Sequence, residues 1–416
     1  MKKLSRIALT AAAALLLGNA MVARAADSTP AKPSVSKAAG KDLQDAQKAL
    51  ADKNYDAALA SLAKVKANDK KNDYDEYVMD EFLFTAYAGQ KNYEAAEAPL
   101  EAAMASKYMP PDELKQRLYQ AANLSYQLKK YDKAVEFGKK AIDQGETSAQ
   151  AQMIVGESYY LQNDFKNTDS FLRGVVDDEI KAGQTPSSDM IEVGLSASAK
   201  LNDEPGETHW LELMVTYHPT TEYWENLLDT MYHNKLTDRE TLQLYRLSAE
   251  VGTLKHGTDF SEMAQLALDA GSPGEAVTTL NNAFTANAFT DAKEKARNQQ
   301  LLESAKKQAA ADQPTLAKME AESGTAKTGD GLVGAGIGYF SYGNYPKAIA
   351  DLTAGLAKGT TKDSKDARLL LGIAQLKSGD KDSAVKTFQS VKGDAVYERL
   401  AALWILRAKA PPPQAT

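Results

Sequence analysis

The chain has 416 residues, 43% of them apolar and 25% charged, with a formal net charge of −7. Those fractions are those of an ordinary folded protein, and the acidic balance opposes nucleic acid and anionic membranes, which call for basic patches. With no cysteine, disulfides, thiolate nucleophiles and cysteine-bound metals are excluded.

The first segment, 1–25, reads as a secretory signal. Lys2, Lys3 and Arg6 precede the apolar run Ile7 to Leu17, and Ala23-Arg-Ala25 is a small-x-small cleavage site. The run is too short for a spanning helix, which takes about 20 residues. Without a twin arginine, the general secretory route and a periplasmic location are expected. No Cys follows the cleavage site, so no lipid anchor is expected. Removing Lys2, Lys3, Arg6 and Arg24 leaves −7 − 4 = −11, which suits solubility and basic partners. Residues 26–40, rich in Ser, Pro, Ala and Lys, read as a flexible leader.

From 41 to 183 the pattern is helix, short turn, helix. Leu114, Leu118, Ala121, Ala122 and Ser125 share one helical face, and Ala134, Val135, Gly138 and Ile142 mark the next helix. A period near 3.6 with a short polar break predicts antiparallel pairs. An aromatic residue, two variable residues and a small one open the second helix repeatedly. The copies are Tyr55-Asp-Ala-Ala58, Tyr93-Glu-Ala-Ala96, Tyr131-Asp-Lys-Ala134, Phe165-Lys-Asn-Thr168 and Tyr345-Pro-Lys-Ala348, with a worn copy at Lys381-Asp-Ser-Ala384. The spacings 93 − 55 and 131 − 93 are both 38, 165 − 131 is 34 and 381 − 345 is 36. A fixed period of this length marks a stacked repeat array.

The stretch 184–322 keeps its helices while the pattern fades, and reads as divergent repeats. Trp210, Met214 and Tyr217 share a face, as do Trp224, Leu227, Leu228 and Met231. Thr237-Asp-Arg-Glu240 is a capping box. Met263, Leu266 and Ala267, then Ala270-Gly-Ser-Pro273, then Ala276 and Leu280 look like another pair, and 292–321 should form one or two polar helices. Ser323 to Gly329 reads as a flexible joint, a hinge between two stacks. Repeats resume over 323–409, and 410–416 is a short, loose, Pro-rich tail. No stretch sustains period-two alternation, so no sheet is expected.

These residues resemble the tetratricopeptide repeat. In that family a small residue is followed three positions later by an aromatic, then Gly, then Tyr-x-x-Ala. Here Gly156-Glu-Ser-Tyr159 leads to Phe165, Gly336-Ile-Gly-Tyr339 leads to Tyr345, and Leu371-Gly372 leads to Gly379. The resemblance covers about 41–180 and 329–392. It implies an all-α fold, an α-solenoid forming a right-handed superhelix. Gly in mid-helix costs about 1 kcal/mol against Ala, so close helix crossings are expected at Gly156, Gly336 and Gly372.

Signals for chemistry are weak. Gly329-Asp-Gly331-Leu-Val-Gly334 matches a dinucleotide fingerprint by letter, but that motif needs a strand before it, and 323–328 is not strand-like. His209, His218, His233 and His256 show no i,i+4 metal spacing. Asp177-Asp178-Glu179 is expected at a helix end or an exposed face. No Gly-x-Ser-x-Gly elbow occurs. No catalytic residue, cofactor or metal site is expected.

In the tetratricopeptide family the inner face of the stack supplies binding residues at fixed positions before Tyr-x-x-Ala. The resemblance places Tyr119, Asn123 and Tyr126 there in the third repeat, and Met153, Glu157 and Tyr160 in the fourth. Each set is spaced i, i+4, i+7, which shares one helical face whatever the family. Tyr offers apolar area with a polar tip, and Asn can bond a peptide backbone. The bland alternative is that Tyr126 and Tyr160 fill gaps between repeats. Family members that clamp a C-terminal carboxylate use Lys, Asn and Arg; here Asn123 has Tyr119 and Glu157 beside it. The expected function is a non-enzymatic scaffold that binds a protein or peptide of the cell envelope, by analogy an accessory of a TonB-type transport system. The alternatives are a scaffold subunit of cell-wall or polysaccharide machinery, and a small-ligand binder or enzyme using the irregular centre. Oligomeric state stays open.

Overall fold

The computed structural model describes residues 33–232, 235–359 and 364–414; the signal-like segment and His233 lie outside them. The chain forms two compact units, Met1–Glu204 and Pro205–Thr416.

In the first unit α1 (Gly40–Ala51) pairs with α2 (Tyr55–Lys66), and α3 (Asp73–Gly89) with α4 (Tyr93–Ala105). Then α5 (Pro111–Gln127) pairs with α6 (Tyr131–Asp143), α7 (Ala149–Leu161) with α8 (Phe165–Lys181), and α9 (Ser188–Leu201) closes the series. First helices also pack on one another, α1 on α3, α5 on α7 and α7 on α9. This is an all-α stack of antiparallel pairs of the tetratricopeptide type.

The second unit holds α10 (Glu204–Tyr217), α11 (Thr221–Tyr232), α12 (Asp238–Val251), α13 (Gly257–Asp269) and α14 (Pro273–Thr285). It continues with α15 (Ala292–Asp312), α16 (Leu316–Gly324), α17 (Asp330–Ser341), α18 (Tyr345–Lys358), α19 (Ser364–Lys377), α20 (Lys381–Gln389) and α21 (Ala395–Lys409). Here α13 pairs with α14, α17 with α18 and α19 with α20. Among the described residues the only extended pairing is one bridge, Thr220 to Gln414.

The residue that opens each Tyr-x-x-Ala copy is the first residue of a second helix: Tyr55, Tyr93, Tyr131, Phe165, Tyr345 and Lys381. Pro273 does the same in α14, which makes Pro273-Gly-Glu-Ala276 a seventh copy. The small residue three positions on is sealed in all seven, with Ala58, Ala96, Ala134, Thr168, Ala276, Ala348 and Ala384 at 0% exposure. Four positions further lie Leu62, Leu100, Gly138, Leu172, Leu280, Leu352 and Phe388, all buried. Burying such a Leu or Phe contributes roughly 1.5–3 kcal/mol.

The mid-helix glycines serve these side chains. A Cβ on Gly156 would meet Leu172 Cδ2 at 2.7 Å, and one on Gly336 would meet Leu352 Cγ at 2.7 Å. Gly372 lies likewise against the Phe388 ring. The expected close crossings are therefore present.

The turn inside each pair repeats a single design. Two residues before the opening residue the backbone is left-handed, at Lys53 (φ 57), Lys91 (φ 60), Lys129 (φ 59), Asn163 (φ 61), Gly271 (φ 75), Gly343 (φ 72) and Gly379 (φ 88). The next residue caps the second helix. Asn54, Asn92, Asp164, Asn344 and Asp380 each accept from a backbone N–H three positions on. Lys130 and Ser272 stand in the same place without a side-chain cap.

The joint at 323–329 lies inside the second unit and is tied down. Lys358 Nζ donates to the carbonyls of Ser323 (3.3 Å), Gly324 (2.5 Å) and Ala326 (3.2 Å), and Gly329 N donates to Gly359 O at 2.8 Å. Gly329 abuts the Gly355 backbone, where no side chain would fit. The letters of the dinucleotide fingerprint thus belong to a close helix crossing. The tail is held as well: Gln414 N donates to Pro219 O at 3.1 Å and Thr221 N to Gln414 O at 3.2 Å. The Thr237–Glu240 capping box forms as expected, with Thr237 N donating to Glu240 Oε2 at 2.8 Å.

Candidate functional site

Tyr119, Asn123 and Tyr126 on α5 and Met153, Glu157 and Tyr160 on α7 fall on helices that pack side by side. The structure joins the two sets directly. The Tyr126 hydroxyl donates to Glu157 Oε2 at 2.6 Å. Tyr160 shares a 2.8 Å hydrogen bond with Ser196 on α9. Tyr126 and Tyr160 also sit edge-on to Tyr131 and Phe165, centroids 6.0 and 5.2 Å apart, so both rings fill inter-helix space as well as lining the face.

The three tyrosines are half-buried, while Met153, Asn123 and Glu157 are buried. Asn123 is 2% exposed and its Oδ1 has no hydrogen-bond partner. Glu157 is 1% exposed. Burial pushes its carboxyl above the usual carboxylate range, the Tyr126 hydrogen bond opposes this, and the Asp189 carboxylate on α9 adds to it. Among the described residues no cation offsets that charge. Burial, then the bond to Glu157, likewise raises the Tyr126 phenol. Nearby on the first helices one charge pair is matched: Arg117 on α5 forks onto Glu81 of α3 through Nε (2.9 Å) and Nη2, and its Nη1 donates to Gln120 at 2.9 Å.

Asp189 and Ser196 escaped the sequence reading. A spacing of 36, already present in the repeat series, carries Met153 to 189 and Tyr160 to 196. The aromatic-x-x-small mark is missing after α9, which hid them.

The matching face of the second unit is filled by its own chain. Arg239, Gln243, Arg246 and Glu250 recur at helical spacing along one side of α12. Gln243 Nε2 donates to Asp366 Oδ1 on α19 at 2.6 Å, and Arg239 lies 3.6 Å from the same carboxylate. Glu250 accepts from Lys377 of α19 and from Arg407 of α21, the latter at 2.8 Å. Arg246 forks onto Glu275 at 2.8 and 2.7 Å, its guanidinium 5.4 Å from the Phe340 centroid. Phe340 opposes Tyr345 as Tyr126 opposes Tyr131 and Tyr160 opposes Phe165. It therefore holds their place in the repeat.

Of the histidines described, His209 is edge-on to Trp210 at 5.4 Å. No group of three metal-ligating side chains gathers among the described residues. No described helix is long and apolar enough to cross a membrane.

No family model matches the sequence, and no curated protein matches it. Among solved structures, the chain is similar to the TPR2AB domain of yeast Sti1 in its pHSP90 complex, at 14% identity, covering 72% of this chain and 98% of that one with a TM-score of 0.25. Yeast Tom70 gives 10% identity, 89% and 95% coverage and a TM-score of 0.25. A tetratricopeptide repeat protein from Parabacteroides merdae gives 12%, 79%, 98% and 0.21. Likeness at that level carries no argument, and the fold rests on the chain's own helix pairs and turns.

Proposed function

We propose that this chain is a non-enzymatic scaffold whose first unit binds a protein or peptide partner along α5, α7 and α9. One contrast carries the reading. The inner face of the second unit is occupied by α12, whereas on the first unit Tyr119, Tyr126 and Tyr160 stay half-exposed over an orphaned Asn123 and an uncompensated Glu157. Buried polar groups without partners cost stability, and their retention on a repeat face supports a binding role.

The signal-like 1–25 supports export, so the partner is a protein of the envelope, and the setting we favour is a TonB-type transport system. Fractionation of cells that make the protein tests export: finding the full-length, uncleaved chain in the cytoplasm refutes it. Photo-crosslinking from position 119 in intact cells, followed by mass spectrometry, identifies the partner. A Tyr119→Ala, Asn123→Ala double variant is expected to lose the crosslink to the same partner formed from a probe at position 160. If every crosslink survives, the face is misassigned.

A further inference from the structure

Around Glu157 the first unit shows no cation among the described residues, whereas its counterpart in the second unit has one. In the second unit the chain shows how such a face is satisfied: α12 lays Arg246 over the ring of Phe340, with Glu275 gripping the guanidinium in a fork. In the first unit Tyr126 and Tyr160 hold the ring position, and Glu157 supplies the carboxylate. The groups left unsatisfied there are acceptors: the Asn123 carboxamide oxygen and the Glu157 carboxylate. Asn123 Oδ1 is unpartnered and buried, one turn from Tyr126 on the same side of α5. Asp189 adds negative field from α9. Glu157 receives one hydrogen bond, from a tyrosine, and no positive charge.

The geometry points to an arginine side chain of the partner as the group that docks on the face formed by Asn123, Tyr126, Glu157 and Tyr160. This deepens the binding role proposed above and rests on it. A guanidinium carries donors and no acceptor, pairs with a carboxylate through two bonds, and stacks on tyrosine. It would meet Glu157 and Asn123 Oδ1 together and lie against the Tyr126 or Tyr160 ring, as Arg246 lies against Phe340. An acidic segment would meet Glu157 and Asp189 unrelieved.

The purified full-length chain, panned against a random-sequence peptide library displayed on phage, tests this. Peptides that depend on Tyr119 are expected to be enriched in arginine. Changing that arginine to alanine in a synthetic copy of the peptide, or Glu157→Gln in the protein, should each weaken binding at least about tenfold. The two losses should not add in a double-mutant cycle. The peptide-side change leaves the protein's folding untouched. If Tyr119-dependent peptides lack arginine, or tolerate its loss, the arginine assignment falls while the binding face stands. If no peptide depends on Tyr119, both fall.

Discussion

At residue scale, three of the four turns within the helix pairs of the first unit hold lysine where the backbone is left-handed. A Cβ there costs roughly 1–2 kcal/mol, which glycine avoids. Lys129→Gly is therefore expected to raise unfolding stability by about 1 kcal/mol after the extra chain entropy of glycine is deducted. Lys130→Asn restores the cap that α6 lacks and should add about 1 kcal/mol, less a few tenths for the exposed pair with Glu97. Denaturant titration of each variant checks both, and an unchanged or lower midpoint refutes the turn account. These positions were not legible, because lysine is no turn former by type; only aligning the seven copies shows that Lys, Asn and Gly share one backbone role. Asp351 carries a pH signature. It is 6% exposed, its Oδ2 is unpartnered, and burial, with Glu320 beside it, pushes its carboxyl up to about 6 from 3.8. The folded state thus holds the proton more tightly than the unfolded chain. Its penalty is absent below the unfolded value, grows as pH rises and is complete above about 6. Asp351→Asn should stabilise the protein at pH 7 by about 1–3 kcal/mol, with the gain vanishing under acidic conditions. A gain that persists unchanged in acid contradicts this.

At the scale of elements, the same substitution should have opposite signs at two glycines. Gly372→Ala drives a methyl into the Phe388 ring and is expected to cost about 1–3 kcal/mol. Gly174→Ala, on the exposed side of α8 with nothing within 4 Å, should gain up to about 1 kcal/mol from helix propensity. Thermal melts decide, and equal shifts would mean that the crossing at α19 and α20 tolerates the methyl. The helix pairs themselves were legible: the opening aromatic sets the first residue of the second helix, and the small residue after it sets the crossing. The partnering of α12 was not, because its contacts run to residues such as Asp366, 123 positions away, and local periodicity records no such distance. Asp189 was hidden for a different reason, the missing aromatic-x-x-small mark after α9.

At the scale of the molecule, the two units are held by different kinds of contact. The first is a series of neighbours, in which each pair touches the next and stability accrues by interfaces. The second is cross-linked by α12 to α19 and α21 through Gln243, Arg239 and Glu250. Native-state hydrogen exchange is therefore expected to show α1 and α2 opening first, while α12, α19 and α21 exchange together as one block. Release of α12 ahead of α19 and α21 would break this account.

The polar side of α12 also bears on how such a chain changes length over evolution. Its four side chains are in register with specific partners on α14, α19 and α21, so inserting or deleting a repeat between α13 and α20 would misalign them. Among the described residues of the first unit no such long-range register is seen, and each pair there packs on an adjacent pair. Gain and loss of whole repeats among relatives should accordingly fall in the N-terminal stack, the stack that carries the exposed face, so that reach toward a partner can vary while the C-terminal unit keeps a constant size.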